Sequence, residues 1–285
     1  MQKNKIIIST ESTVDLPEAI MKQYDILSLP YHIIVGTEDL VDGVITNEEL
    51  FTKVDALGTL PKTQAINQFA YRSFFEENLK SADTIIHFCL SSKLSSAYSN
   101  ATLASQGLNV HVIDSLALST GIALLVLKAA ELAKEGKTAE EILITINKLI
   151  PKVQTSFLLD KTNYLYKGGR CSLLSFIAAS VLSIKPQILM KDGKLEPAKK
   201  YRGSYEKATI KYVLDTLEQF NKPQLDRVFI TCTTSPSELI DNVRTILLER
   251  GFKQIIETRA GCTISSHCGP NTIGILYFND VDCAD

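Results

Sequence analysis

The chain has 285 residues, 45% of them hydrophobic and 22% charged, with a net charge of −2. That length exceeds a usual single core and predicts two domains, while scattered Lys and Arg at near-neutral charge exclude the basic footprint of a nucleic-acid binder. Six cysteines include no Cys-x-x-Cys pair, and Cys262, His267 and Cys268 lack zinc-ligand spacing, so reduced thiols and no structural metal are expected.

In chain order, the short apolar run Ile6-Ile7-Ile8 reads as a first strand over residues 5–9; a signal peptide would need a longer apolar region. A short helix is predicted over 17–24 and a strand over 26–35. Apolar residues at helical spacing predict helices over 47–57 and 67–81. The continuous apolar run at 84–90 predicts a strand buried on both faces. A serine-rich segment, 91–98, then leads into a helix. Residues 110–114 read as another buried strand, and 122–134 as a helix. Such alternation implies a mostly parallel sheet covered by helices.

After a helix over 139–150 the texture changes to an α+β pattern, with a boundary near 151–160. Strands are predicted over 157–167, 184–190 and 195–201, joined by turns at Gly168-Gly169 and Asp192-Gly193. Helices fit 172–182, 205–221 and 236–250, and strands fit 227–232, 254–259 and 273–278. No stretch approaches the roughly 20 apolar residues of a membrane span, so a cytoplasmic protein without stable membrane insertion is expected.

The segment 261–274, Gly-Cys-Thr-Ile-Ser-Ser-His-Cys-Gly-Pro-Asn-Thr-Ile-Gly, sets His267 in a polar surrounding shaped by Gly, Pro and Asn. Those residues reach turn angles that others avoid, and a histidine held there is a donor or acceptor near neutral pH. Three strand-to-helix junctions carry hydroxyls: Ser9-Thr10-Glu11-Ser12-Thr13, the run 91–96, and Asp114-Ser115 with Ser119-Thr120. Each alone is an ordinary helix cap. Together they would place hydroxyls and helix N-termini at one rim, which suits an anion. Lys62-Thr63-Gln64, in a loop, is a fourth candidate. No Gly-x-x-x-x-Gly-Lys-Ser/Thr loop, Gly-x-Gly-x-x-Gly or Gly-x-Ser-x-Gly elbow occurs; Gly136-Lys137-Thr138 only closes a helix. The chain therefore shows no ATP or dinucleotide site of its own.

Ser9-Thr10-Glu11-Ser12-Thr13-Val14-Asp15-Leu16-Pro17, the 91–98 run, Tyr166-Lys167-Gly168-Gly169-Arg170 and Ser266-His267-Cys268-Gly269-Pro270 together resemble the DegV family of bacterial fatty-acid-binding proteins. Some of its members are carrier subunits of a fatty acid kinase. The resemblance keeps the motif order from Lys5 to Phe278. It implies an α/β fold with a Rossmann-like N-terminal domain, residues 1–155, and a second α+β domain, residues 156–285, with one long-chain fatty acid between them. It further implies a carboxylate held by Thr63 and Ser95 with His267 in the same network, and a lipid-binding carrier rather than an enzyme, without a cofactor. The partner would be a separate ATP-dependent kinase, met through Arg170 and Arg202, and the setting phospholipid metabolism.

This chain departs from the pattern at Thr63-Gln64-Ala65-Ile66, usually Thr-Ser-Gln-Pro, at Ser96, usually Gly, at Glu11, usually Asp, and at Asn271, usually Gly. Gln64 and Ser96 are thus secondary headgroup candidates. Apolar walls for the acyl chain are expected from Phe69, Phe157, Leu158, Phe176 and Ile177. The competing reading is a serine hydrolase or acyl transferase with Ser95 as nucleophile, His267 as base and Asp114 as the tempting acid.

Overall fold

The computed structural model describes residues 5–171 and 184–280. The first half runs β1 (Ile6–Glu11), α1 (Glu18–Tyr24), β2 (Leu27–Leu29), β3 (His32–Val35), β4 (Glu38–Val41), α2 (Asn47–Leu57) and β5 (Lys62–Gln64). It continues with α3 (Gln68–Leu79), β6 (Thr84–Cys89), α4 (Ala97–Ala104), β7 (Val110–Asp114), α5 (Thr120–Lys134) and α6 (Ala139–Leu149). Then come β8 (Val153–Leu158), α7 (Asn163–Lys167), β9 (Ile184–Lys191), β10 (Lys194–Arg202) and α8 (Tyr205–Gln219). The chain closes with β11 (Pro223–Cys232), α9 (Ser237–Glu249), β12 (Gln254–Arg259), α10 (Cys262–Cys268) and β13 (Ile273–Asn279).

Three sheets form among the described residues, in an α/β fold. The first is wholly parallel, in the order β2-β1-β6-β7. Every residue of β6 is buried, as its unbroken apolar run requires. The second is mixed, in the order β10-β9-β8-β13-β11-β12, with only β11 and β12 parallel. Between these sheets lies α5, buried over nearly its whole circumference and packed on β1, β8 and β13. A helix apolar all round can be stable only in such a place. It approaches β8 closely at Gly121, where a Cβ would lie 2.5 Å from Thr155 Oγ1.

The third sheet, β4-β3-β5, is small and antiparallel. It corrects the sequence reading twice. The strand expected over 26–35 is two strands in different sheets, since Pro30 lacks the N–H to continue a ladder. The loop expected around Thr63 is β5, whose register puts Ile33 opposite Thr63. A further correction falls at 157–167: β8 ends at Leu158, and the expected strand continues as helix α7. Helix 172–182 lies outside the described residues. The other expected elements are present within a few residues of their expected bounds.

Candidate functional site

The order β2-β1-β6-β7 reverses direction between β1 and β6, and ligands in such sheets sit beyond the carboxyl ends of the strands at that point. A cavity of about 120 Å³ lies there, between the parallel sheet, β5, α7 and α10. Its polar lining includes Tyr31, Thr63, Ser95, Thr263 and His267, with Arg170 as the one charged side chain among the described residues. Its apolar lining is chiefly Leu90, Leu94, Leu118, Leu165, Leu195 and Ile264. A second cavity of about 30 Å³ shares Leu118, Ile264 and Cys268 with it and continues between α5 and the mixed sheet.

Thr63, Ser95 and His267 all reach the larger cavity. Alternation along β5 turns Thr63 inward and leaves Lys62 and Gln64 exposed. Gln64 is therefore turned away from the headgroup position expected for it, and Ala65 lines the cavity instead. Ser95 precedes α4; its Oγ accepts the Ala97 N–H at 3.2 Å and lies 3.2 Å from the Tyr31 hydroxyl. Ser96 is exposed at the cavity edge.

His267 sits on α10, a helix the sequence reading took for irregular turn. Its Nε2 lies 2.9 Å from Thr63 Oγ1, and its buried Nδ1 has no partner among the described residues. Gly168 makes room for the ring, since a Cβ there would stand 2.5 Å from Nδ1. Burial first, then the positive charge of Arg170, pull the imidazole down to about 4, so it is neutral near pH 7. With the proton on Nε2, His267 donates to Thr63 Oγ1 and leaves the Thr63 hydroxyl proton to point at a ligand. The same burial predicts a pH response of known sign. The unfolded chain takes up a proton near 6.5 that folded His267 takes up only near 4, so stability present above 6.5 is lost as pH falls across that window. His267→Gln should remove up to roughly 3 kcal/mol of this loss, read from urea unfolding at a series of pH values; an unchanged pH slope would contradict the burial argument.

Arg170 follows α7, with Nη1 2.7 Å from Gly168 O and Nε 3.4 Å from Leu94 O. It lines both the cavity and an outer groove that also carries Lys93 and Lys194. Arg202 is elsewhere. It ends β10, seven residues beyond Leu195, or roughly 20 Å along a strand.

The hydroxyl-rich rim has a different use from the one its sequence suggests. Ser12 donates to Asp42 Oδ2 at 2.8 Å, Thr13 to Glu11 Oε2 at 3.3 Å, and Ser119 to Asp15 Oδ2. These hydroxyls serve buried acids and are not turned toward an anion. Two of the acids escaped sequence reasoning altogether: Asp15 Oδ1 accepts the Gly261 N–H and Asp42 Oδ1 the Cys262 N–H, each at 2.8 Å. They cap the helix that carries His267, with carboxylates where its N–H groups and dipole favour negative charge. Among the described residues, one group of donors could converge on a metal: Glu11, His87 and Cys89, all buried, with ligand atoms within 4.8 Å of one another. The Glu11 oxygens already accept from Tyr71, Leu90, Thr13 and Tyr31, and a cation would have to break those bonds.

The expected tail walls are largely reassigned. Phe69 is 81% exposed on α3. Phe157 lines the second cavity, whereas Leu158, the next residue on β8, faces the opposite core. Phe176 and Ile177 lie outside the described residues. Hydrolase geometry is missing too. Nε2 of His267 is engaged by Thr63, its Nδ1 has no acid partner among the described residues, and Asp114 instead accepts the N–H groups of Ser92 and Leu116.

The family model described as "Uncharacterised protein, DegV family" matches residues 5–280. A DegV domain-containing protein from Caldanaerobacter subterraneus subsp. tengcongensis is 33% identical over 277 residues, 96% of this chain and 98% of that protein. A DegV family protein from Thermus thermophilus, solved for its fatty acid binding, superposes with a TM-score of 0.89 at 26% identity, over 97% of this chain and 100% of that one. The fatty acid kinase B3 protein of Streptococcus pneumoniae, solved loaded with linoleic acid, shares the fold at a TM-score of 0.84 and 22% identity, over 97% of this chain and 100% of that one. The chain belongs to the DegV family. Among its described residues no helix is long and apolar enough to cross a membrane.

Proposed function

We propose that this protein binds one long-chain fatty acid, with the carboxylate on Thr63 and Ser95 and the acyl chain running inward from the cavity. The observation that carries this reading is the placement of two neutral hydroxyls, one oriented by neutral His267, over leucine and isoleucine walls. Hydroxyls bond a carboxylate without the tight charge pairing of an arginine fork, which leaves its oxygen nucleophilic. Affinity comes from the tail. Sixteen carbons at ~0.8 kcal/mol per buried CH₂ give on the order of 12 kcal/mol gross, before ordering and association costs.

On this reading the protein is a cytoplasmic carrier and not itself an enzyme. A separate kinase brings ATP and phosphorylates the presented carboxylate, and the acyl phosphate stays bound here. Arg170 lines both cavity and outer groove, which supports a role in meeting that partner or its phosphate; Arg202 would act from a different part of the surface. Arg170→Ala is expected to keep fatty acid affinity within about threefold while slowing partner-dependent phosphorylation at least ~10-fold, in line with the loss of one charged contact. Equal losses in both assays would refute that division of labour. The reading as a whole is tested by native mass spectrometry of protein purified from a bacterial host, followed by lipid extraction. A near-stoichiometric fatty acid is the expected result; an empty protein that also takes up no added fatty acid would end it.

A further inference from the structure

Glu11 is fully buried beneath the cavity and has no part in the reading above. Its Oε1 accepts from the Tyr71 hydroxyl, and its Oε2 from the Leu90 N–H at 3.0 Å and the Thr13 hydroxyl at 3.3 Å. The Tyr31 hydroxyl stands 3.4 Å from Oε2 and 3.2 Å from Ser95 Oγ, and Tyr31 lines the cavity. A buried carboxyl is thus joined through one phenol to the serine that would hold the ligand's carboxylate. The strand register explains it: Glu11 ends β1 beside the end of β6, at the point where the sheet order reverses.

We propose that Tyr31 relays between Glu11 and Ser95 and so sets which way the headgroup serine donates, and that fatty acid binding is thereby coupled to protonation of Glu11. The direction of the hydroxyl chain decides the matter. An ionised Glu11 holds the Tyr31 proton, and Ser95 then donates to the Tyr31 oxygen instead of to the ligand. A protonated Glu11 donates to Tyr31, Tyr31 to Ser95, and Ser95 to the fatty acid. Two carboxylates bridged by two hydroxyls in a water-poor interior also disfavour double ionisation. The titratable groups facing Glu11 are Tyr71 from α3, Tyr31 from the segment before β3, and Cys89 and His87 from β6, with Asp114 of β7 acting on Cys89. Burial pushes both phenols and the thiol up and the imidazole down to about 3; it also raises Glu11, against the hydrogen bonds from Leu90, Tyr71, Cys89 and Thr13, which lower it.

This inference rests on the fatty acid reading, and the test separates the two. Binding of palmitic acid and of its neutral analogue palmitamide is measured for the wild type, Glu11→Gln and Tyr31→Phe, from about pH 5 to about pH 9, with Glu11→Gln reporting any titration of the free fatty acid itself. Wild-type affinity for the acid is expected to fall at least tenfold as pH rises. Glu11→Gln should hold the low-pH affinity throughout, and Tyr31→Phe should bind about tenfold more weakly with a flattened profile, as loss of one hydrogen bond implies. Palmitamide binding should not change with pH. The same pH slope in the wild type and Glu11→Gln, or full affinity in Tyr31→Phe, overturns the coupling alone. Failure of the wild type to bind either compound at any pH overturns the fatty acid reading and the coupling with it.

Discussion

The Thr63→Val/Ser95→Ala double variant is expected to bind fatty acid at least ~100-fold more weakly than the wild type, since each lost hydrogen bond to a charged group is worth about 1.5–3 kcal/mol. Valine keeps the shape of Thr63 on β5, so the strand pairing with Ile33 survives. Alanine at 95 removes the oxygen that accepts the Ala97 N–H, at a cost of about 1 kcal/mol to the helix start. That loss is small beside the binding effect and can be read separately in a melting curve. Isothermal titration with palmitic acid is the measurement. A folded double variant with wild-type affinity would show that the acyl chain alone holds the ligand, and the assignment of the headgroup site would fall.

The second large effect concerns a residue that touches no ligand. Asp15→Ala should destabilise the fold by about 3 kcal/mol or more, because it strands the Gly261 N–H and the Ser119 hydroxyl in the interior. It should weaken fatty acid binding as well, since α10 carries His267 and loses one of its two N-terminal acceptors. Urea unfolding measures the first effect and titration the second. Burial raises the Asp15 carboxyl well above its ordinary range. Its contribution is thus fully present below the unfolded pKa and is lost as pH rises through the folded one, opposite in sign to His267. Asp15→Asn, which keeps one acceptor and cannot ionise, should recover part of the stability and lose that pH dependence. A variant at 15 as stable as the wild type would remove the capping role.

Most of the architecture was legible because buried strands and helices leave strong periodic signatures. The all-apolar β6 and the fully buried α5 could hardly be read otherwise. The small third sheet was not, since β4 and β5 are three or four residues long and mostly exposed or half-buried, so no alternation marks them. Helix α10 escaped because Thr263, Ser265 and Ser266 are weak helix formers, and its stability comes from caps 246 and 220 residues away, at Asp15 and Asp42. His267 stood out in its Gly-, Pro- and Asn-shaped segment, and Ser95 and Thr63 in a hydroxyl-bearing junction and a loop, but their joint role as a carboxylate site came only from the family resemblance. Tyr31 and Glu11 were missed as a pair because a link between a tyrosine and an acid 20 positions apart exists only once β1 and β2 lie side by side.

The Thr63–His267 bond spans 204 residues, and Asn47 reaches 213 residues to Ala260. During synthesis, the parallel sheet and α5 emerge long before α10, so the cavity stays incomplete until α10 has left the ribosome. Until then Asp15, Asp42 and Asn47 await donors and acceptors from Gly261, Cys262 and Ala260, and closing contacts of such high sequence separation slows folding. A chain that lacks α10 therefore cannot close the cavity, and Asp15 and Asp42 keep only their hydroxyl donors, Ser119 and Ser12.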